Sequence, residues 1–209
     1  MTSNEIISLA KDLILSGAAI TGAVVAIKGL GTWRRQLQGQ SEYDLSRRIL
    51  VSLFKYRDAL NSVRNPFMWN NEMPSPLEDE AKLMTREKIQ YYGTSRAYEA
   101  RWNNVQKERT NLYADLLEAE ALWGKELDDL FKVVFHLQHE LFICINHYLE
   151  VINPDTDDMS KKAIHSIKNK SRDIMYSDLS DEGDDFQKDL MASIKNIEKY
   201  LKPKLSHRI

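Results

Sequence analysis

The sequence predicts an all-α protein in which a single N-terminal transmembrane helix carries an elongated cytoplasmic bundle of three to five helices. Three observations predict it. The only long uncharged run, Leu13–Ile27, lies near the start and leads into Lys28-Gly-Leu-Gly-Thr-Trp33-Arg34-Arg35. Glycine (8) and proline (5) are scarce among the 209 residues, which favours long helices over a turn-rich β architecture. Apolar residues after the first run recur at helical spacing over long stretches. The expected organisation is a short extracytoplasmic N-terminus (1–12), an anchor (13–33), a helical bundle with a long amphipathic helix (34–153) and polar C-terminal helices (154–209).

A bilayer core of ~30 Å needs about 20 helical residues. Leu13–Ile27 supplies 15, and extension to Trp33 brings the span to 21, with the Lys28 ammonium snorkelling to the interface. Trp33 then sits at headgroup level, with Arg34 and Arg35 just beyond it. The amino flank (Glu5, Lys11, Asp12) is nearly neutral, so the Lys/Arg bias places the carboxyl side in the cytoplasm and the chain in the plasma (inner) membrane. A cleaved signal peptide fits worse, because no basic region precedes the run and no small-residue cleavage site follows it. A buried core helix is the competing reading. Ala18, Gly22 and Ala26 recur at i, i+4, i+8 and give the anchor a small-residue face suited to self-association.

The net charge of −2 disfavours bulk nucleic-acid binding, yet it hides an asymmetry. Lys28–Arg64 carries eight Lys/Arg against three Asp/Glu, and Thr110–Asp158 carries two against eleven. The basic set Arg34, Arg35, Arg47, Arg48, Lys55, Arg57 and Arg64 is read first as contact with anionic lipid and second as internal pairing with the acidic body. Nucleic-acid binding is third and lacks a reading module. The one cysteine, Cys144, excludes an intrachain disulfide.

After the anchor, Gln36–Gln40 reads as a polar hinge and Ser41 as the N-cap of a new helix, with Asp44 closing the box. Leu45, Ile49, Leu53, Tyr56, Leu60 and Val63 form its apolar stripe, and Asn65-Pro66 ends it. The segments Trp33-Arg-Arg-Gln-Leu-x-Gly39, Glu42-Tyr43-x-Leu45-Ser-Arg47-Arg48-x-Leu50, Arg57-Asp58-Ala59 and Val63-Arg64-x-Pro66 resemble those of a group of uncharacterised bacterial proteins. The similarity continues weakly to Leu122-Trp123-Gly124 and covers about half the chain. It implies one N-terminal membrane helix followed by a helical cytoplasmic region, and it implies no activity.

Asn65–Pro76, with Phe67, Met68 and Trp69, is expected to pack down over a helix end. Ser75-Pro76-Leu77-Glu78 reads as a capped helix start. From Tyr98, and with every spacing 3 or 4 from Leu112 to Ile152, a coiled-coil-like seam predicts either one rod of about 61 Å or two helices broken near Gly124. Asn153-Pro154 stops it. A polar helix is expected from Asp155 to about Tyr176, a linker over Ser177–Gly183, and a last helix from Asp184 with Phe186, Leu190, Ile194, Ile197 and Leu201 on one face. Acidic residues, Asp181 and Glu182 among them, crowd its start, lysines its end, and Pro203 closes it.

Little chemistry emerges. His136, Glu140 and His147 share a face with His139 beside them, but no Glu-x-x-His element is present and catalytic zinc takes three protein ligands. No metal or cofactor is therefore expected. Cys144 and His147 stand three apart, but Cys144 adjoins the apolar seam, where a free cysteine behaves as a small hydrophobe. Gly29-Leu-Gly31 is not a nucleotide fingerprint. The expected function is a non-enzymatic, membrane-tethered interaction or scaffold protein whose partners are the lipid bilayer and another protein or a second copy. No small-molecule substrate is identified and no nucleic acid is expected. The alternative is a membrane-perturbing effector of toxin or anti-phage type controlled by a partner, suggested by Lys28 inside an apolar span. A metal-dependent bundle enzyme is third.

Overall fold

Each long apolar stripe in the sequence becomes one face of a helix, and four of these helices share a core. The computed structural model describes residues 3–169, 172–178 and 184–206, with residues 3–13 as backbone only. In order the elements are α1 (Ser3–Arg64), a 3-10 turn (Asn70–Glu72), α2 (Glu78–Ala81), α3 (Arg86–Trp123), α4 (Glu126–Ile152), α5 (Asp158–Lys168) and α6 (Asp185–Leu205). No strand occurs among the described residues.

Helices α1 and α4 each pack on both α3 and α6, which makes a closed ring of four. Neighbours run antiparallel. Arg48 of α1 reaches Asp115 of α3 at 3.0 Å, while Arg101 of α3 reaches the Asn65 carbonyl beyond the other end of α1 at 2.8 Å. Tyr98 meets Tyr148 and Trp102 meets Phe142 across α3 and α4. Phe186 lies under Arg64, and Tyr200 meets Trp123. The arrangement is an up-down-up-down four-helix bundle. Leu45, Ile49, Leu53, Tyr56 and Leu60 of α1 are fully buried against Leu112, Val134, Leu141, Leu190 and Ile197. One polar contact sits inside this core, where the Tyr56 hydroxyl donates to Gln138 Oε1.

The hinge expected at Gln36–Gln40 and the cap expected at Ser41 are both absent. Helix α1 runs unbroken for 62 residues, about 93 Å. Glutamine is a good helix former, Gln38 Nε2 donates to Glu42 Oε1 one turn on (3.2 Å), and a lone glycine such as Gly39 costs a helix only about 1 kcal/mol. The apolar first half and the bundle's core strand of α1 are therefore one rod.

The long seam, in contrast, is two helices. Gly124 has φ +79° and ψ −164°, a region open essentially to glycine alone, and the chain folds back there to make the α3–α4 hairpin. A Cβ placed at Gly124 meets nothing within 4 Å, so the cost of adding one is purely conformational. Gly124→Ala is expected to lower the unfolding free energy by about 1–3 kcal/mol with an unchanged denaturant m-value. Urea titration checks this.

Other boundaries moved. The cap predicted at Ser75 does not form; α2 starts at Glu78 and lasts 4 residues, and the long helix begins later, where Thr85 Oγ1 accepts from Lys88 N. In the loop after α1 Met68 packs on the core, Pro76 is buried and Met73 lies against Gly93 of α3, as expected of a loop that packs down, while Phe67 and Trp69 are 65% and 71% exposed. Asp157 caps α5, which ends at Lys168 rather than near Tyr176. Residues 172–178 are non-helical, and the Ile174 and Tyr176 carbonyls accept from Arg64 instead of from a helical turn. Of the expected Ser177–Gly183 linker, residues 179–183, with Asp181 and Glu182, lie outside the described residues. Asp184 caps α6 by accepting from Gln187 N, and the five stripe residues predicted for α6 are all buried. Pro203 falls inside the last turn, and α6 ends at Leu205.

Candidate functional site

Two features of this fold are not explained by packing alone: a bare apolar rod at one end, and at the other a set of arginines that hold the loops, one of which lines a cavity.

The rod is the first half of α1. One helix among the described residues is long and apolar enough to cross a membrane, and none of its apolar window is buried in the chain. Ile14, Ile20, Val25, Ile27 and Leu30 are each more than half exposed, so within this chain the segment is not a core helix. Its two threonine hydroxyls donate back to carbonyls one turn earlier, Thr21 to Gly17 (2.8 Å) and Thr32 to Lys28 (3.0 Å). That leaves Lys28 as the one charged side chain between residue 14 and Trp33. Trp33 is 59% exposed, Arg34 projects freely, and Arg35 Nε donates to the Gly31 carbonyl at 3.3 Å. Ala18, Gly22 and Ala26 lie on one exposed face, with open space around Gly22. From Trp33 to the first buried residue, Leu45, α1 covers about 18 Å.

At the far end of the bundle three arginines hold the loops. Arg64, the last residue of α1, is fully buried; Nε donates to the Ile174 carbonyl (2.8 Å), Nη2 to the Tyr176 carbonyl (2.9 Å) and Asp184 Oδ2 (2.8 Å), and the Phe186 ring lies 4.4 Å from its guanidinium carbon. Arg101 serves the other loop. It donates to the Asn65 and Phe67 carbonyls and to Glu72 Oε2, which fixes that loop together with the packing of Met68. Arg172 clasps both oxygens of Glu140 at 2.8 and 2.7 Å and reaches Asp189 at 2.6 Å. The membrane-lipid reading of the basic set is therefore corrected for three members. Arg64 is buried at the end remote from the anchor, Arg48 pairs with Asp115 and Glu118, and Arg57 pairs with Asp58.

These pairs leave their carboxylates more acidic than usual. Hydrogen bonds from Arg101 and Arg172 lower Glu72 and Glu140 respectively. For Asp184 burial acts to raise the value, but bonds from Arg64, Asp178 N and Gln187 N outweigh it and hold the carboxyl low. A depressed folded pKa contributes stability that is complete above the unfolded value, ~4 for carboxyls, and is lost as pH falls through the folded value. The melting temperature is thus expected to be flat from pH 7 to 5 and to fall below about pH 4. Glu140→Gln should remove part of that acid slope, as thermal melts across pH will show.

Between α4, α5 and residues 172–175 lies a cavity of about 180 Å³. Ile143, Val151, Ile164, Ile167, Ile174 and Met175 give it apolar walls, and Cys144, His147, His165 and Lys168 face it as well. Burial pushes the Cys144 thiol up, which keeps it a neutral thiol. The histidines read earlier as metal candidates separate: His136 and His139 are exposed on α4, His147 lines the cavity, and Glu140 is taken by Arg172. No group of three or more metal-ligating side chains forms among the described residues.

Sequence reasoning missed the arginine clamps. Their signal was present, since Arg64 and Arg101 occupy positions in the apolar stripes of α1 and α3, Arg64 four after Leu60 and Arg101 between Tyr98 and Val105. The cavity had no such signal, because its walls come from three separated segments. Compared with family models, with curated proteins and with solved structures, the chain matches none.

Proposed function

We propose that this is a membrane-tethered helical interaction protein, held in the plasma membrane by residues 13–33 with its bundle in the cytoplasm. The observation that carries the reading is the continuity of α1, which runs as one helix from an uncovered apolar half into the centre of the bundle. Such a rod ties the bundle to the membrane without a flexible joint. The back-bonded threonines suit a segment whose polar groups find no water. Trp33, Arg34 and Arg35 mark the cytoplasmic interface, and Lys28 snorkels toward it. The role is binding rather than catalysis, since Arg64, Arg101 and Arg172 all serve the bundle's own loops. The face formed by Ala18, Gly22 and Ala26 suits contact with a second copy or with another membrane helix.

Photocrosslinking groups placed at Ala18, Gly22 and Ala26 test this in native membranes. Crosslinks to a second copy or to a defined membrane protein are expected from this face and not from Ile20 or Val24, which lie opposite it at 100° per residue. Monomer alone from every position sinks the reading.

A further inference from the structure

The cavity at the far end of the bundle is lined as a ligand site would be. Helix α5 buries none of its own residues, yet it is amphipathic and turns Ile164 and Ile167 toward the cavity, opposite Ile143, Val151 and Ile174. It spans a space instead of resting on a packed core. A cavity of ~150 Å³ in an apolar core is large enough for benzene, so about 180 Å³ admits one ring or a short chain.

The polar groups at its edge say which ligand. The two carboxylates there each face a cation: Glu140 gives both oxygens to Arg172, while Asp173 accepts from Met175 N through Oδ1 and faces Lys168 Nζ at 3.7 Å through Oδ2. Donors remain beside them, because among the described residues Arg172 uses three of the five N–H groups of its guanidinium and an imidazole has at least one. The His147 and His165 side chains both line the cavity and make no hydrogen bond among the described residues.

We propose that this cavity binds a small, mostly apolar carboxylate, its hydrocarbon part among Ile143, Val151, Ile164 and Ile174 and its carboxylate against His147 and His165. The site is independent of whether α1 spans a membrane. Arg64 ties its wall at Ile174 to the last residue of α1, so an occupant bears on the corner where α1 ends.

The chain's only cysteine lines the cavity and serves as a reporter. The experiment follows alkylation of Cys144 by iodoacetamide in the full-length protein in detergent, with benzoate, hexanoate, benzylamine or hexylamine added. Either acid is expected to slow alkylation saturably while the two amines leave the rate unchanged. Ile164→Phe, which fills the cavity from the helix that buries nothing, should abolish the ligand effect with its thermal melt retained. His147→Leu with His165→Leu should raise the half-saturating acid concentration about fivefold or more. Absence of saturable protection by both acids in the wild-type protein overturns the proposal, and so does equal protection by the amines or protection that survives in Ile164→Phe.

Discussion

Arg64→Ala is expected to lower the unfolding free energy by about 3–5 kcal/mol, the range for removing one partner of a buried ion pair. At roughly 2–4 °C per kcal/mol for a chain of this size, the melting temperature drops by roughly 6–20 °C. Arg64 has no exposed side-chain area, and its partner Asp184 is only 18% exposed. Truncation leaves the Ile174 and Tyr176 carbonyls without their side-chain donor, leaves the Asp184 carboxylate with backbone donors but no cation, and uncovers the Phe186 ring. It also removes the side-chain ties from the end of α1 to residues 174–176 and to the start of α6, leaving the backbone bond from Ser177 N to the Arg64 carbonyl. Arg64→Lys keeps a charge but not the fork that reaches three acceptors, so it should recover less than half the loss. Denaturant unfolding in detergent measures both. A loss under about 1 kcal/mol for the alanine variant is incompatible with this role.

Removal of residues 1–33 is expected to move the protein almost wholly from the membrane pellet to the soluble fraction. The bundle's stability should change by less than about 1 kcal/mol, because none of the apolar window is buried against it. A gentler variant makes the same point. Val24→Arg puts a charge near the middle of the span, at a cost of about 2.5–3.5 kcal/mol for insertion, and should shift a large part of the chain out of the membrane. Lys28→Leu should act in the opposite direction. A truncated chain that still sediments with membranes, or whose bundle melts early, contradicts the separation of anchor from bundle.

How far the fold was legible follows from what each element depends on. The stripes from Leu45 to Val63 and from Phe186 to Leu201 were readable because burial at 3.6-residue spacing is a local property, and the residues they name are buried. Helix ends at Asn65-Pro66 and Asn153-Pro154 were readable because proline enforces them within the chain. The hinge at Gln36–Gln40 was misread. Polar composition suggested a joint, but glutamines are good helix formers and nothing forces the helix to stop there. The seam after Leu112 allowed a rod or a hairpin, and the backbone at Gly124 chose the hairpin. Arg64, Arg101 and Arg172 act through carbonyls and carboxylates up to 120 residues away, which no local pattern contains. The cavity depends on where α5 comes to rest, and a polar eleven-residue helix does not specify its docking.

The most direct test of the account is thiol labelling along α1. Single cysteines from residue 14 to residue 44, in a Cys144→Ser background, are exposed to a membrane-impermeant maleimide in sealed membranes. The account predicts a protected block from Ile14 to Trp33 that reacts only after the membrane is dissolved, followed by reactive positions from Gln36 onward labelled from the cytoplasmic side alone. Labelling of residues 14–33 in intact membranes at the rate seen for Gln36 contradicts it.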